Sequence, residues 1–235
     1  MIDFPLSHRR RLAVTADDFG ASRQANENIF HLIDLGKIDR VSVMVNGEFS
    51  TEEIRKLLKS GVKIDIHLDI LHDFRKNRTK RGGFFMRTAG FLLKYFSGKI
   101  SSKKVKLEWD EQIKKFKAIF ERCPDGVNSH EHIHFFPPFF NIVLELQDNH
   151  LIPFVRFGRS VCAPHHKSIM LVLRALRKMS LKKFADSCFV STDSLAGLEW
   201  IPDIDSFLDN PPEGTTEIVT HPETAEEFEK IKKYF

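Results

Sequence analysis

The chain has 235 residues, of which 42% are hydrophobic and 29% are charged, and its formal net charge is +4. This balance supplies a buried core, excludes wholesale disorder and fits a single domain. Three cysteines without a Cys-x-x-Cys pair argue against a disulfide scaffold or a cysteine zinc site, and no apolar run reaches the roughly 18 residues that would predict a membrane span.

Strands and helices alternate along the predicted secondary structure. Apolar or alternating segments predict strands at residues 11–15, 41–45, 62–68, 126–134, 154–157, 188–191 and 216–220. Amphipathic periodicity predicts helices at residues 22–35, 51–61, 107–121, 139–147 and about 166–183. No repeat or linker interrupts the pattern, so we expect one domain over residues 1–235. The α/β pattern favours a barrel or distorted barrel of about seven mostly parallel strands over an open sheet.

The positive charge is concentrated in two segments that contain no acidic residue. Residues 74–107 carry eleven Lys and Arg among many aromatic residues, and residues 165–185 carry six more. The remainder of the chain is acidic, which indicates an anionic partner such as a lipid surface, a phosphate group or nucleic acid. The second segment has a helical apolar stripe, which is typical both of a membrane-interface helix and of an ordinary core-facing helix. The stripe consists of Ile169, Val172, Leu173 and Leu176.

Polar clusters follow the predicted strands, where a parallel α/β fold places its active site. They are Asp17 with Asp18, His67, residues 130–134 and His221. Two imidazoles and one carboxylate with open positions for water form a hydrolytic metal site. One of the two adjacent aspartates would bind the metal and the other would act as a base, and the spacing alone leaves their roles open.

The histidines at residues 130–134 stand at alternate positions. If this segment is a strand, His130, His132 and His134 share one face of the sheet, because successive side chains of a strand alternate. One imidazole would then bind a metal while the others line the pocket. The spacing does not decide which of the three is the ligand.

These clusters, in this order, resemble the YdjC-like carbohydrate deacetylase family. The matching segments are Thr-Ala-Asp-Asp-Phe-Gly at 15–20, Val-Met-Val-Asn at 43–46, Ile-His-Leu at 66–68, Asn-Ser-His-Glu-His-Ile-His-Phe at 128–135, Val-Arg at 155–156 and Thr-His-Pro at 220–222. The resemblance therefore covers nearly the whole chain. It implies a fold similar to NodB-type polysaccharide deacetylases, which is a distorted, incomplete (β/α) barrel.

The resemblance also implies a metal site. Asp18, His67 and His130 match the positions that hold one divalent metal ion. The identity of the metal stays open among Zn, Mg, Mn, Ni and Co.

The resemblance assigns catalytic roles as well. Asp17 matches the catalytic base, and Arg156 matches the arginine that keeps it ionised. His221 matches the histidine that protonates the amine leaving group. The remaining matched residues would face the substrate or support the site, and they are His132, His134, Glu131 and Asn46. The reaction would be hydrolysis of an N-acetyl group on an amino sugar, with release of acetate.

Three departures from the family pattern bear on the substrate. Asn128 stands where chitooligosaccharide-type members have Asp, and Asp65-Ile66 replaces the usual Gly-Leu or Gly-Met before His67. The basic aromatic insertion at about 74–107 replaces a loop with a common proline. The histidine motif resembles the hopanoid-associated branch instead. We therefore expect an N-acetylhexosamine on a lipid carrier such as polyprenyl phosphate, with a soluble chitooligosaccharide as the alternative.

The cellular site follows from the same features. Residues 1–11 lack the apolar segment of a signal peptide, and the cysteine usage fits a reducing compartment. We expect a cytoplasmic protein that associates peripherally with the inner face of an anionic membrane. The oligomeric state is not readable from the sequence.

Other function classes explain less of the sequence. A phosphoesterase on a similar barrel commonly uses two metals and more carboxylates than Asp17, Asp18 and Glu131 supply. A nucleic-acid-binding protein would use the basic aromatic insertion but leaves the histidines and the aspartate pair unexplained, so we expect no nucleic-acid partner. A catalytically inactive barrel that only binds sugar is expected to lack one of the family's motif residues, and this sequence contains all of them.

Overall fold

The structure is a computed structural model that describes residues 11–70, 97–98, 100–161 and 167–235. Most of the basic aromatic insertion, along with Cys162, His165 and His166, lies outside these residues. No helix in the described ranges is long and apolar enough to cross a membrane.

One parallel sheet of eight strands forms the centre of the fold. The strands are β1 (Leu12–Phe19), β2 (Arg40–Val43), β3 (Lys63–Leu68), β4 (Gly126–Ser129), β5 (Phe154–Val155), β6 (Arg159–Ser160), β7 (Ser194–Gly197) and β8 (Thr216–Thr220). Their order across the sheet is β5-β4-β3-β2-β1-β8-β7-β6. β1 therefore lies at the middle, and the chain reaches one edge through β2 to β5 and the other through β8 to β6.

The two edge strands are neighbours in the chain but not in the hydrogen-bonded order. Only residues 156–158 separate β5 from β6, so the sheet has to curl until its two edges approach each other. No ladder pairing joins these two strands. The expected α/β fold with a distorted, incomplete barrel is therefore confirmed.

Three strand predictions differ from the structure, and the first is the strand predicted at residues 126–134, which ends at Ser129. β6 has only two residues, which is too short to produce a readable alternation, and it raises the predicted seven strands to eight. The segment 188–191 is not a strand, since only Val190 makes an isolated bridge, to Phe154. The strand that follows is Ser194–Gly197 instead.

Seven α-helices among the described residues cover the sheet. They are α1 (Arg23–Asp34), α2 (Thr51–Lys59), α3 (Ser102–Phe120), α4 (Pro137–His150), α5 (Lys167–Ala185), α6 (Ile204–Asp209) and α7 (Ala225–Tyr234). Several begin at a polar residue that accepts a backbone N–H of the first turn, which is the usual N-terminal cap. These caps are Ser22, Ser50, Ser101, Asp203 and Thr224.

The apolar stripe predicted on α5 packs partly against the core. Leu173 is buried and Leu176 packs against the core cluster, whereas Val172 is partly exposed. The most exposed apolar side chains described on α5 are instead Leu171 and Met179. The core-facing interpretation is therefore correct for two of the three stripe residues whose side chains the structure describes, and a second apolar face points to solvent.

A buried ion pair ties β2 to β3. The Arg40 Nε donates to Asp65 Oδ2 over 2.8 Å, and both side chains are buried. Gly126 on β4 faces this pair, and a Cβ there would lie 2.6 Å from Asp65 Oδ1. The ion pair with Arg40 therefore explains how this chain accommodates a buried aspartate at position 65, two residues before His67.

Replacing Asp65 by alanine is expected to lower the free energy of unfolding by about 3–5 kcal/mol, because Arg40 would remain buried without its partner. The matched control is Asp34→Ala, which removes an exposed ion pair with Lys56 (2.9 Å) and is expected to cost less than about 1 kcal/mol. Urea denaturation of both variants measures the difference, and equal losses would contradict this account.

Candidate active site

Four strands deliver the predicted polar residues to one end of the barrel. β1 carries Asp17 and Asp18 near its end, and His67 is the penultimate residue of β3. His130 directly follows β4, and His221 directly follows β8. Strand ends of a parallel barrel converge on one face, so residues that are far apart in sequence meet there.

Asp18, His67 and His130 form a cluster in which one ligand atom of each residue lies within 4.8 Å of the others. Asp18 Oδ1 is 3.4 Å from His67 Nε2 and accepts a hydrogen bond from His130 Nδ1 over 3.2 Å. His67 Nε2 is buried and has no hydrogen-bond partner among the described residues. A buried imidazole nitrogen without a partner, beside a carboxylate and a second imidazole, fits a divalent cation.

Protonation in this cluster responds to the charges of its members. Burial alone would raise the pKa of Asp18, but the attraction of His130 and His67 outweighs it and holds that pKa well below the usual range. Burial alone would lower the pKa of His130, but Asp18 raises it to about 9. The lowered pKa of Asp18 means that its carboxylate is ionised, which is the form that a cation ligand requires.

The two adjacent aspartates point to different partners. Asp18 has a left-handed backbone conformation (φ 67°), which is uncommon for a non-glycine residue. Asp17 Oδ2 and Oδ1 accept from Arg156 Nη1 and Nη2 over 2.7 and 2.8 Å. One carboxylate therefore faces the imidazoles and the other is paired with a guanidinium.

Arg156 is completely buried between two carboxylates. Its Nε donates to Glu217 Oε1 over 2.9 Å while its two terminal nitrogens hold Asp17. Burial alone would raise the pKa of Asp17, but the positive charge of Arg156 outweighs it, with smaller contributions from His67 and His221, and leaves that pKa far below its ordinary value. Asp17 is therefore ionised at every physiological pH.

The prediction that three histidines share one strand face is wrong. β4 ends at Ser129, and residues His130–Phe135 form a short 3-10 segment. Glu131 and His132 inside it have left-handed conformations, with φ of 56° and 52°. The chain turns at these two residues, so the three imidazoles point in different directions.

His134 lies in the core instead of facing a substrate. Its Nδ1 contacts Ser129 Oγ at 2.7 Å, and its Nε2 contacts the Arg156 carbonyl oxygen at 2.8 Å. Burial lowers the pKa of His134 to about 3, so the ring is neutral. Its place in the structure is to support the segment that carries Arg156.

His132 is half-buried beside the ring of Trp200, with 6.0 Å between the ring centroids. Its Nδ1 is buried and has no hydrogen-bond partner in the part of the chain that the structure describes. Burial, and then the charge of Arg156, hold the pKa of His132 well below its usual value. The ring is a neutral polar group that can bond to a ligand.

The other predicted residues lie at the rim. The backbone N–H of His221 donates to Glu227 Oε2 over 2.6 Å, which fixes the chain as it leaves β8. Glu131 is half-buried, with its Oε1 3.8 Å from His130 Nε2. Asn46 Oδ1 accepts from Lys115 Nζ over 2.9 Å, which ties it to α3.

Sequence reasoning did not identify Glu217 as part of the site. It is a fully buried carboxylate within the otherwise apolar or hydroxylated strand β8, and it also accepts from Thr15 Oγ1 over 2.9 Å. The sequence does carry a signal for Glu217, because a charged residue in the middle of a predicted buried strand requires a partner of opposite charge.

The sequence model of the YdjC-like protein family matches residues 11–234, and the chain belongs to this family. The human protein named carbohydrate deacetylase is 26% identical over 156 residues, which cover 63% of this chain and 48% of the human protein. A chitooligosaccharide deacetylase of Escherichia fergusonii is 29% identical over 139 residues, which cover 57% of this chain and 54% of that protein. The chain spans about half the length of these curated relatives.

A solved structure supports the fold. A protein of Enterococcus faecalis V583, described as a candidate for cellobiose-phosphate cleavage, superposes with a TM-score of 0.61 at 17% identity. The superposition covers 89% of this chain and 80% of that protein. At this identity the likeness establishes the shared architecture.

Replacing His67 by alanine is expected to abolish high-affinity binding of one divalent ion per chain, because a ligand atom is removed from the cluster. His132→Ala removes an imidazole that lies outside the cluster and should leave binding unchanged. Zn²⁺ titration of both variants against a chromophoric chelator measures the difference. Loss of binding in His132→Ala together with retention in His67→Ala would contradict the assignment.

Proposed function

We propose that the protein is a divalent-metal-dependent hydrolase that removes the N-acetyl group of an N-acetylhexosamine and releases acetate. The observation that carries this proposal is the division of the aspartate pair, with Asp18 in the cation cluster and Asp17 ionised against Arg156. The names of the relatives, carbohydrate deacetylase and chitooligosaccharide deacetylase, support the reaction and the substrate class.

The cation would be held by Asp18, His67 and His130. When bound, a divalent ion supplies polarisation of the amide carbonyl and makes a water molecule more acidic. A second group of His, Cys, Asp or Glu suited to a metal is not found in the described residues, which favours one ion per chain over the two-metal site of many phosphoesterases.

Asp17 accepts the proton of the attacking water. Arg156 keeps this carboxylate ionised and, through two hydrogen bonds, holds its position beside the cluster. Because Arg156 also makes Asp17 a weak base, the mechanism requires a water whose own acidity is raised. The two effects are complementary in a metal-dependent site.

His221 donates the proton that the leaving amine needs. It lies at the end of β8, next to β1, and its charge lowers the pKa of Asp17. The base therefore stands on β1 and the acid directly follows the neighbouring strand β8, so both lie at the same end of the barrel.

We infer a lipid-linked N-acetylhexosamine, such as a polyprenyl-phosphate sugar, presented at an anionic membrane surface. Helix α5 supports this inference, because it contains no acidic residue. Its Leu171 and Met179 side chains are 62% and 68% exposed, and they lie beside Lys178 and Lys182. An exposed face that is apolar and basic fits the interface of an anionic bilayer.

Replacing Asp17 by asparagine is expected to reduce acetate release by about 10²–10⁴-fold, which is the usual contribution of a general base. Metal content should be retained because Asp17 is outside the cluster. Acetate is assayed with a polyprenyl-phosphate N-acetylhexosamine and with soluble N-acetylated oligosaccharides. The control is Asp209→Asn, which changes an exposed carboxylate on α6 and is expected to leave acetate release unchanged.

The two substrates separate the parts of this proposal. Acetate release from the lipid-linked sugar alone supports both parts, while release from soluble oligosaccharides alone overturns the lipid carrier and keeps the reaction. A metal-loaded wild-type protein that releases no acetate from any of them would overturn the deacetylase function.

The double variant Leu171→Ser with Met179→Ser is expected to lower binding to phosphatidylglycerol vesicles by about tenfold or more, because two apolar side chains no longer enter the interface. Cosedimentation at low salt measures the bound fraction. The control is Leu151→Ser, which removes a side chain that is 80% exposed at the end of α4. Equal binding of both variants, or no binding by the wild type, would contradict a membrane role for α5.

A further inference from the structure

His67 can bind a cation through Nε2 only if its proton is on Nδ1. A neutral imidazole carries one proton, and the nitrogen without it is the ligand. The partner of the other nitrogen therefore decides whether His67 is ready to bind. In a buried site this partner has to come from the protein.

Asn128 is that partner. His67 on β3 and Asn128 on β4 stand directly opposite each other in the parallel ladder. His67 Nδ1 makes a short hydrogen bond with Asn128 Oδ1, and both side chains are buried. An amide oxygen can only accept, so the proton of this bond belongs to His67 Nδ1.

Ser42 contacts the nitrogen end of the Asn128 amide. Asn128 Nδ2 donates over 2.8 Å to Ser42 Oγ, which lies on β2, two strands from β4 and directly beside the β3 strand of His67. Ser42 Oγ also accepts from Arg156 Nη2 over 3.5 Å. With its nitrogen turned to Ser42, Asn128 has its oxygen turned to His67, and the reverse orientation would present N–H to His67 Nδ1.

We propose that Asn128 is a positioning residue that, oriented by Ser42, holds His67 in the Nδ1–H tautomer and so presents Nε2 to the cation. The inference rests on the metal site of the proposed function. In this tautomer Nε2 carries no proton, and it lies 3.4 Å from Asp18 Oδ1, the carboxylate oxygen of the same cluster. A neutral amide achieves this orientation without adding a third negative charge beside Asp17 and Asp18.

Substitutions of Asn128 test the hydrogen bond through metal affinity. Asn128→Leu keeps the approximate size but removes the acceptor, and it is expected to weaken Zn²⁺ binding about 10–100-fold, the usual cost of losing an outer hydrogen bond to a ligand. Asn128→Asp keeps an acceptor and should bind Zn²⁺ at least as tightly as the wild type. The control is Ser180→Ala, which replaces a buried serine on α5 and is expected to leave the Zn²⁺ affinity unchanged.

The tautomer itself provides a readout that does not require metal or activity. Long-range ¹H–¹⁵N NMR of the metal-free protein assigns the proton of each imidazole, and the His67 signals are identified by their loss in His67→Gln. The expected result is Nδ1–H for His67 in the wild type and in Asn128→Asp. An Nε2–H tautomer in the wild type overturns the proposal, and this result does not depend on whether Asn128→Leu folds.

The outcomes separate this inference from the proposed function. A wild-type protein that does not bind Zn²⁺ overturns the metal site, whereas normal binding in a folded Asn128→Leu overturns only the role of Asn128. A loss of affinity in Asn128→Leu that Asn128→Asp restores supports both.

Discussion

The buried guanidinium of Arg156 is the constraint on which the rest of the site depends. It lies in the short connection between β5 and β6, where the edges of the curled sheet approach each other, and it is paired with Asp17 on β1 and Glu217 on β8. An unpaired buried charge is very costly, so the three side chains fix one another's positions. The carbonyl of the same arginine holds His134, which anchors the segment after β4.

This constraint gives the two adjacent aspartates different partners. Arg156 holds Asp17 as a permanently ionised carboxylate, while the left-handed backbone at Asp18 turns the second carboxylate to the imidazoles. Two neighbouring residues on a regular strand would point to opposite faces of the sheet, and only one would enter the pocket. The irregular end of β1 therefore allows both to reach the same site.

Much of the fold could be predicted because it follows from local patterns. β3 and β8 coincide with segments whose sequence pattern predicts a strand, and α1 and α2 begin at serine caps that the sequence displays. The direction of residues 130–134 could not be predicted, because left-handed conformations at Glu131 and His132 leave no periodic signal. The pairing of Arg156 with Asp17 joins residues 139 positions apart, and only the family resemblance indicated it.

The most direct test of the central claim is a crystal structure of the metal-loaded protein with anomalous scattering recorded at the metal's absorption edge. We expect one anomalous peak in contact with Asp18, His67 and His130, with Asp17 still hydrogen-bonded to Arg156. A peak that Asp17 ligates would contradict the division of the aspartate pair, and a peak at His132 or His134 would contradict the location of the metal site.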